Sequence, residues 1–140
     1  MSSGFPGSAI VGNGIDIVSV KRIGLTVARH PERFAEKILS VLERRDFEDR
    51  GRKVQDLAKY FAVKEAAAKA LGTGMGAGVY WGQIELTRKP VSGAPLLTLS
   101  GPALERMEKI GGFQALVSLA DEGDLVIASV VIGAPNPVGS

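Results

Sequence analysis

Apolar and β-branched residues run almost unbroken from Ala9 to Val18 (A-I-V-G-N-G-I-D-I-V), which predicts a strand interrupted by Gly12 and Gly14. Glycine inside a strand marks a bulge or the close approach of another backbone. From Val20 to about Arg29 the pattern becomes a basic helix. It breaks at His30-Pro31, because the residue before a proline avoids the α region. A second helix is predicted over Glu32 to Leu39. Ser40 then caps a third, with Glu43 three positions on completing a capping box. Gly51-Arg52-Lys53 punctuates the chain before the strongest helical segment, Val54 to Leu71. This segment is rich in alanine, and Gly72 follows at once in the position of a left-handed cap. Thr73 to Gly78 (T-G-M-G-A-G) is a turning loop.

The last third reads as β structure. A strand is predicted over Tyr80 to Thr87, a turn over Pro90 to Pro95 and a returning strand over Leu96 to Leu99. A short helix over Pro102 to Ile110 has proline in its first turn. Two more strands, Phe113 to Leu119 and Leu125 to Ile132, are joined by Ala120 to Asp124. Hairpin-like strands with helices inserted earlier predict an α+β fold: an antiparallel sheet with one long helix and shorter helices, not alternating βαβ units. The 140 residues make a single domain with its core over about 9–132. Residues 1–8 and 133–140 are expected to be flexible tails.

Composition narrows the chemistry. The chain has no cysteine, which excludes disulfides, thiolate metal sites and cysteine nucleophiles. Its one histidine, His30, sits in the helix break, so neither a zinc site nor a Ser-His-Asp triad is supported. Residues 1–9 lack the basic start and apolar run of a signal peptide. No apolar stretch reaches the roughly 18 residues of a membrane span. A cytoplasmic location is the expectation. Net charge is only +2, so distribution matters more than the sum. Lys and Arg are dense from Lys21 to Lys53, with acids between them. That segment is either a solvated helical face or a docking surface for an acidic partner or phosphates.

Two carboxylates stand in apolar surroundings. On a helical wheel, Leu57, Ala58, Phe61, Ala62 and Ala68 form one arc, with Glu65 in its middle and Lys69 one turn on. Asp16 lies between Ile15 and Ile17. A Glu65–Lys69 pair and a turn-capping Asp16 would account for them separately. Together, with no soft ligand available, they suit a hard cation such as Mg²⁺, which takes one or two carboxylates and completes its shell with water and phosphate oxygens. Lys64 and Lys69 are then candidate phosphate contacts. Gly12-x-Gly14 is no dinucleotide fingerprint, and the Gly72–Gly78 loop follows a helix, so it is no P-loop. Either could let backbone amides approach a phosphate.

The run from Phe61 to Gly74 (F-A-V-K-E-A-A-A-K-A-L-G-T-G) resembles the core motif of bacterial holo-acyl-carrier-protein synthases, small single-domain 4′-phosphopantetheinyl transferases. Gly12 to Val18 (G-N-G-I-D-I-V) resembles their first strand, and Val117 to Val131 their terminal hairpin. The three matches fall in the family's order. The resemblance implies transfer of 4′-phosphopantetheine from coenzyme A to a serine of apo acyl carrier protein, with Mg²⁺, releasing adenosine 3′,5′-bisphosphate. It implies Asp16 and Glu65 as metal ligands and, with Lys69, as catalytic residues. Lys64, Lys69, Gly72, Thr73 and Gly74 are implied at coenzyme A. Arg22, Arg29 and Arg33 are implied at the acidic helix of acyl carrier protein. A homotrimer is implied, with no nucleic-acid or membrane partner. Asp121 stands where many relatives have a histidine, so the proton acceptor is Glu65 or a cation-bound water. Two other readings remain: a non-enzymatic basic adaptor for an acidic protein or nucleic acid, and a different Mg²⁺-dependent nucleotide hydrolase.

Overall fold

The computed structural model describes residues 8–135. The elements follow in the order β1 (Ser8–Ser19), α1 (Val20–Arg29), α2 (Arg33–Ile38), α3 (Val41–Asp49), α4 (Val54–Leu71), β2 (Ile84–Arg88), β3 (Pro95–Leu99), α5 (Gly101–Lys109), β4 (Gln114–Glu122) and β5 (Leu125–Pro135). β1, β5 and β4 form an antiparallel sheet with β5 in the middle, and β2 and β3 form a separate hairpin. The fold is α+β, as the sequence pattern predicts. Among the described residues, no helix is long and apolar enough to cross a membrane.

The centre of the molecule is α4 lying against one face of the three-stranded sheet. Ala58, Ala62, Ala66, Ala67, Ala68 and Ala70 are all buried. Alanine favours the helix and also lets a strand come close. The strand that does so is β1. A Cβ at Gly12 would lie 2.3 Å from the carbonyl oxygen of Ala70, and one at Gly14 would lie 2.1 Å from that of Ala66. The two glycines are there because the helix backbone occupies the space, and a register shift falls between Ile10 and Gly12. Gly14→Ala must push β1 off the helix. It is expected to cost roughly 1–3 kcal/mol, the usual range for overpacking, measured by denaturant unfolding. An unchanged midpoint would show that the strand can yield without loss.

Alternation along β1 carries Gly12, Gly14, Asp16 and Val18 to the helix side and Asn13, Ile15 and Ile17 to the outer side. In register, Asp16 pairs with Ala128 of β5, which pairs with Leu119 of β4. The outer face carries Ile15, Ile17, Leu116 and Leu125, all exposed.

Several boundaries differ from the sequence reading. Residues 133–135 are not a tail: Gly133, Ala134 and Pro135 pair with Ile10, Ala9 and Ser8. Residues 1–7 and 136–140 lie outside the described part. The connection expected over Ala120 to Asp124 shrinks to Gly123-Asp124, with Gly123 at φ 56°, because the strands continue through Glu122. Tyr80 to Gln83 is not strand. Trp81–Gln83 forms a 3₁₀ turn, with the Gln83 side chain accepting from the amides of Tyr80 and Ala103.

Candidate active site

The helix α4 is buried on most of its circumference, so the wheel misplaces its special face. Leu57, Ala58, Ala62 and Ala68 are buried, but Phe61 and Glu65 are half-buried and Lys69 is exposed. Phe61 and Glu65 open onto a cleft of about 270 Å³, walled by β1 and α1, with Lys69 one turn further along the helix. Asp16, Arg22, Phe34, Phe61 and Glu65 line it. Phe61 stacks against Trp81 (5.3 Å between ring centres) and meets Phe34 (5.9 Å), forming an aromatic wall beside the carboxylates. Nothing in the local sequence signals that wall, because the three rings come from separate elements.

Lys69 does not pair with Glu65. It reaches across to β1 and donates to Asp16 Oδ1 at 2.9 Å and to the Ile15 carbonyl at 3.0 Å. Among the described residues no ion pair holds Glu65. Its carboxyl is raised above the usual glutamate range, first by burial and then by the Asp16 carboxylate, with Lys69 opposing. A half-buried carboxylate beside a second one, with a lysine close by, is an arrangement poised for a cation or an anionic substrate.

Lys64 is a correction. Expected at a phosphate, it is fully buried, about 100° round the helix from Glu65. It pairs with Glu43 at 2.8 Å and donates to the carbonyls of Trp81 and Ile84. Its three protons are thus all taken, and it has none for a ligand. Burial pushes the ammonium down from the usual lysine range, and Glu43 opposes that shift. Gly72 caps α4 at φ 80°, as expected. The amides of Gly72, Thr73 and Gly74, however, already donate to the last carbonyls of α4. The loop is therefore no cradle of free N–H groups; what it offers a coenzyme is the Thr73 hydroxyl, which donates to the Gly74 carbonyl, and close approach. Gly12 and Gly14 face α4, where the absence of a Cβ lets the helix backbone approach.

The arginines fall on one side. Arg22 lines the cleft itself, and Arg33 lines an adjoining groove that shares Thr26 and Phe34 with it. Arg29 is exposed on the last turn of α1. The start of α1 is held by the β4–β5 turn, a contact absent from the sequence reading. Val20 N–H donates to the Asp124 carbonyl at 2.8 Å, and Lys21 N–H to Asp124 Oδ1 at 2.9 Å. Asp121 lies on the same sheet face as Asp16 but two strands away and two residues out of register, roughly 12 Å on the usual spacing. It pairs with Lys59 at 3.7 Å and does not line the cleft.

Comparison with known proteins identifies the family. A family model described as the 4′-phosphopantetheinyl transferase superfamily matches residues 12–128. A holo-[acyl-carrier-protein] synthase of Shewanella amazonensis is 44% identical over 124 residues, covering 89% of this chain and 98% of its own. The crystal structure of the holo-[acyl-carrier-protein] synthase of Neisseria meningitidis superposes with a TM-score of 0.80 at 40% identity, covering 89% of this chain and 98% of that one. The Helicobacter pylori enzyme in complex with coenzyme A superposes at 0.74 with 36% identity, over 86% of this chain and 98% of that one. The adaptor and hydrolase readings fall here, because the chain is a transferase and belongs to the 4′-phosphopantetheinyl transferase superfamily, among the holo-[acyl-carrier-protein] synthases.

Proposed function

We propose that the chain transfers 4′-phosphopantetheine from coenzyme A to a serine of apo acyl carrier protein, with Mg²⁺, and releases adenosine 3′,5′-bisphosphate. The observation that carries this reading is the meeting of Asp16 and Glu65, from β1 and α4, in one cleft, with the Lys69 ammonium bonded to Asp16. Relatives named for this reaction, and complexes with coenzyme A from Helicobacter pylori and Bacillus anthracis, support the substrate pair.

The donor set fits Mg²⁺. Among the described residues no three acids or histidines cluster to form a complete cage. Asp16 and Glu65 supply two carboxylate groups, the number Mg²⁺ takes when substrate phosphates and water complete its shell. When bound, the ion supplies a Lewis acid at the pyrophosphate. Lys69 neutralises pyrophosphate oxygens and the charge that grows on the leaving group. The serine oxygen forms a bond to the β-phosphorus, and the bond from that phosphorus to the departing adenosine 3′,5′-bisphosphate breaks. Glu65, half-buried in the cleft and held by no ion pair among the described residues, accepts the serine proton in this reading.

Arg22, Arg29 and Arg33 are proposed to dock the acidic carrier protein. Arg22→Glu and Arg29→Glu should each raise KM for carrier protein at low salt, by roughly tenfold, and Arg29→Glu, outside the cleft, should do so with coenzyme A binding unchanged; reversed rim charges act on encounter and its salt dependence. An unchanged carrier-protein KM would remove the docking assignment. The exposed apolar outer face of the sheet supports self-association, since such a patch marks an interface, and a homotrimer is the proposed form. A solution mass other than that of three chains would remove that part. The transfer itself is tested by mass spectrometry of apo acyl carrier protein incubated with this chain, coenzyme A and Mg²⁺. The expected result is a gain of one phosphopantetheine arm; no gain under saturating conditions overturns the proposal.

A further inference from the structure

Asp16 stands between two possible cationic partners. Its Oδ1 already holds the Lys69 ammonium at 2.9 Å, and the Ile15 carbonyl fixes that ammonium from the other side at 3.0 Å. The Asp16 side chain is 15% exposed and the Lys69 side chain 51%. The aspartate is thus held by the strand, whereas the lysine is free to swing outward on its four-carbon stem. Lys69 makes this reach in preference to Glu65, one turn away on its own helix. Among the described residues, Asp16 and Glu65 are the only carboxylates lining the cleft. An ion entering it would therefore draw half its protein ligands from a carboxylate that already carries a counter-charge. An ammonium and a divalent ion within a few ångströms of one carboxylate repel each other.

We propose that Lys69 is a lock on the cation site: in the free protein its ammonium takes the place of a divalent ion at Asp16, and the pyrophosphate of coenzyme A draws it away. Cation and coenzyme binding are then coupled through this one side chain. The lysine exchanges one anionic partner for another, and the carboxylate it leaves is open to the ion. Linkage makes the effect reciprocal, so the ion must tighten coenzyme binding by the same factor as the coenzyme tightens the ion's. The practical consequence is order. The ion is held weakly until the coenzyme arrives, so a loaded site is one that also contains the substrate.

This inference rests on the proposed function, and its test separates the two. Mn²⁺ is titrated into the full chain at fixed ionic strength and free Mn²⁺ is read by electron paramagnetic resonance, with and without coenzyme A. Carrier protein is left out, so no transfer occurs. Without coenzyme, Lys69→Met should bind Mn²⁺ about tenfold more tightly than the wild type, within the range usual for coupled sites. Arg22→Met removes a positive charge from the same cleft without touching Asp16, and should change Mn²⁺ affinity by less than about twofold, as expected of an exposed charge in screened solvent. Coenzyme A should enhance Mn²⁺ binding in the wild type by a larger factor than in Lys69→Met. If Lys69→Met binds Mn²⁺ no more tightly than the wild type, or Arg22→Met tightens it equally, the lock is wrong while the transfer reaction stands. Absence of Mn²⁺ binding to the wild type even with coenzyme A would overturn both the lock and the metal assignment.

Discussion

Glu43→Gln is expected to destabilise the protein by about 3–5 kcal/mol, the range for leaving a buried charge without its partner. For a domain of this size that corresponds to a fall in melting temperature of roughly 10 °C or more. Both side chains of the Glu43–Lys64 pair are fully buried. Glu43 also accepts from the amides of Ser40 and Leu86, and Lys64 donates to the carbonyls of Trp81 and Ile84. The pair therefore ties the start of α3, the middle of α4, the 3₁₀ turn and β2 to one point. Glutamine keeps the shape but leaves the Lys64 ammonium with no countercharge in a place water does not reach. Lys64→Met creates the mirror problem, a buried carboxylate with two amide donors and no cation. The double variant Glu43→Gln, Lys64→Met contains neither orphaned charge, so its loss should be clearly smaller than the sum of the single losses. Additive losses in thermal unfolding would show that the two side chains act independently and would sink the buried-pair account.

What the sequence disclosed was local. The capping box of Ser40 and Glu43 is present with both of its hydrogen bonds, and α4 runs from Val54 to Leu71 with Gly72 left-handed behind it. Each of these needs only a few neighbouring residues, so chain order carries the information. The glycines of β1 were readable as a close approach, though not what they approach. Lys64 was misplaced because α4 is buried nearly all round, and a helix without a solvated face gives periodicity nothing to report. Its partner lies 21 residues earlier, and Glu43 already had a sufficient local role in the cap, which hid the second one. Lys69 was offered Glu65 as a partner because i, i+4 spacing is a fact of the helix. The choice of Asp16 instead depends on how β1 is laid across α4, and Gly12 and Gly14 set that distance. The turn at Gly123-Asp124 shows the same limit. Ala120 to Glu122 carries turn-like residues, yet pairing with Leu125 to Ile127 of β5 draws it into strand.

Asp16→Asn and Glu65→Gln should each lower kcat/KM for transfer by at least two to three orders of magnitude, the loss seen when one preorganised electrostatic group is removed from a transition state. Both replacements keep shape and hydrogen-bonding reach, so the loss reports charge. Stability should separate them from a folding defect. Asp16→Asn gives up an ion pair whose lysine is half-exposed and screened, worth less than about 1 kcal/mol. For Glu65→Gln the sign is opposite. The folded-state affinity of Glu65 for its proton is raised, so the folded protein disfavours the charged form as pH climbs through that raised value. Its charge therefore costs stability at neutral pH, and the cost disappears below the unfolded pKa, where both states are protonated. Glu65→Gln should then be as stable as the wild type or slightly more so at neutral pH, with the gain vanishing in acid. Because Asp16 is the second cause of that shift, Asp16→Asn should move the Glu65 carboxyl titration, followed by carbon NMR in metal-free protein, to lower pH. Near-normal turnover by either variant at saturating Mg²⁺ would remove that residue from the reaction. A Glu65 titration that ignores Asp16→Asn would mean the two carboxylates do not share a site.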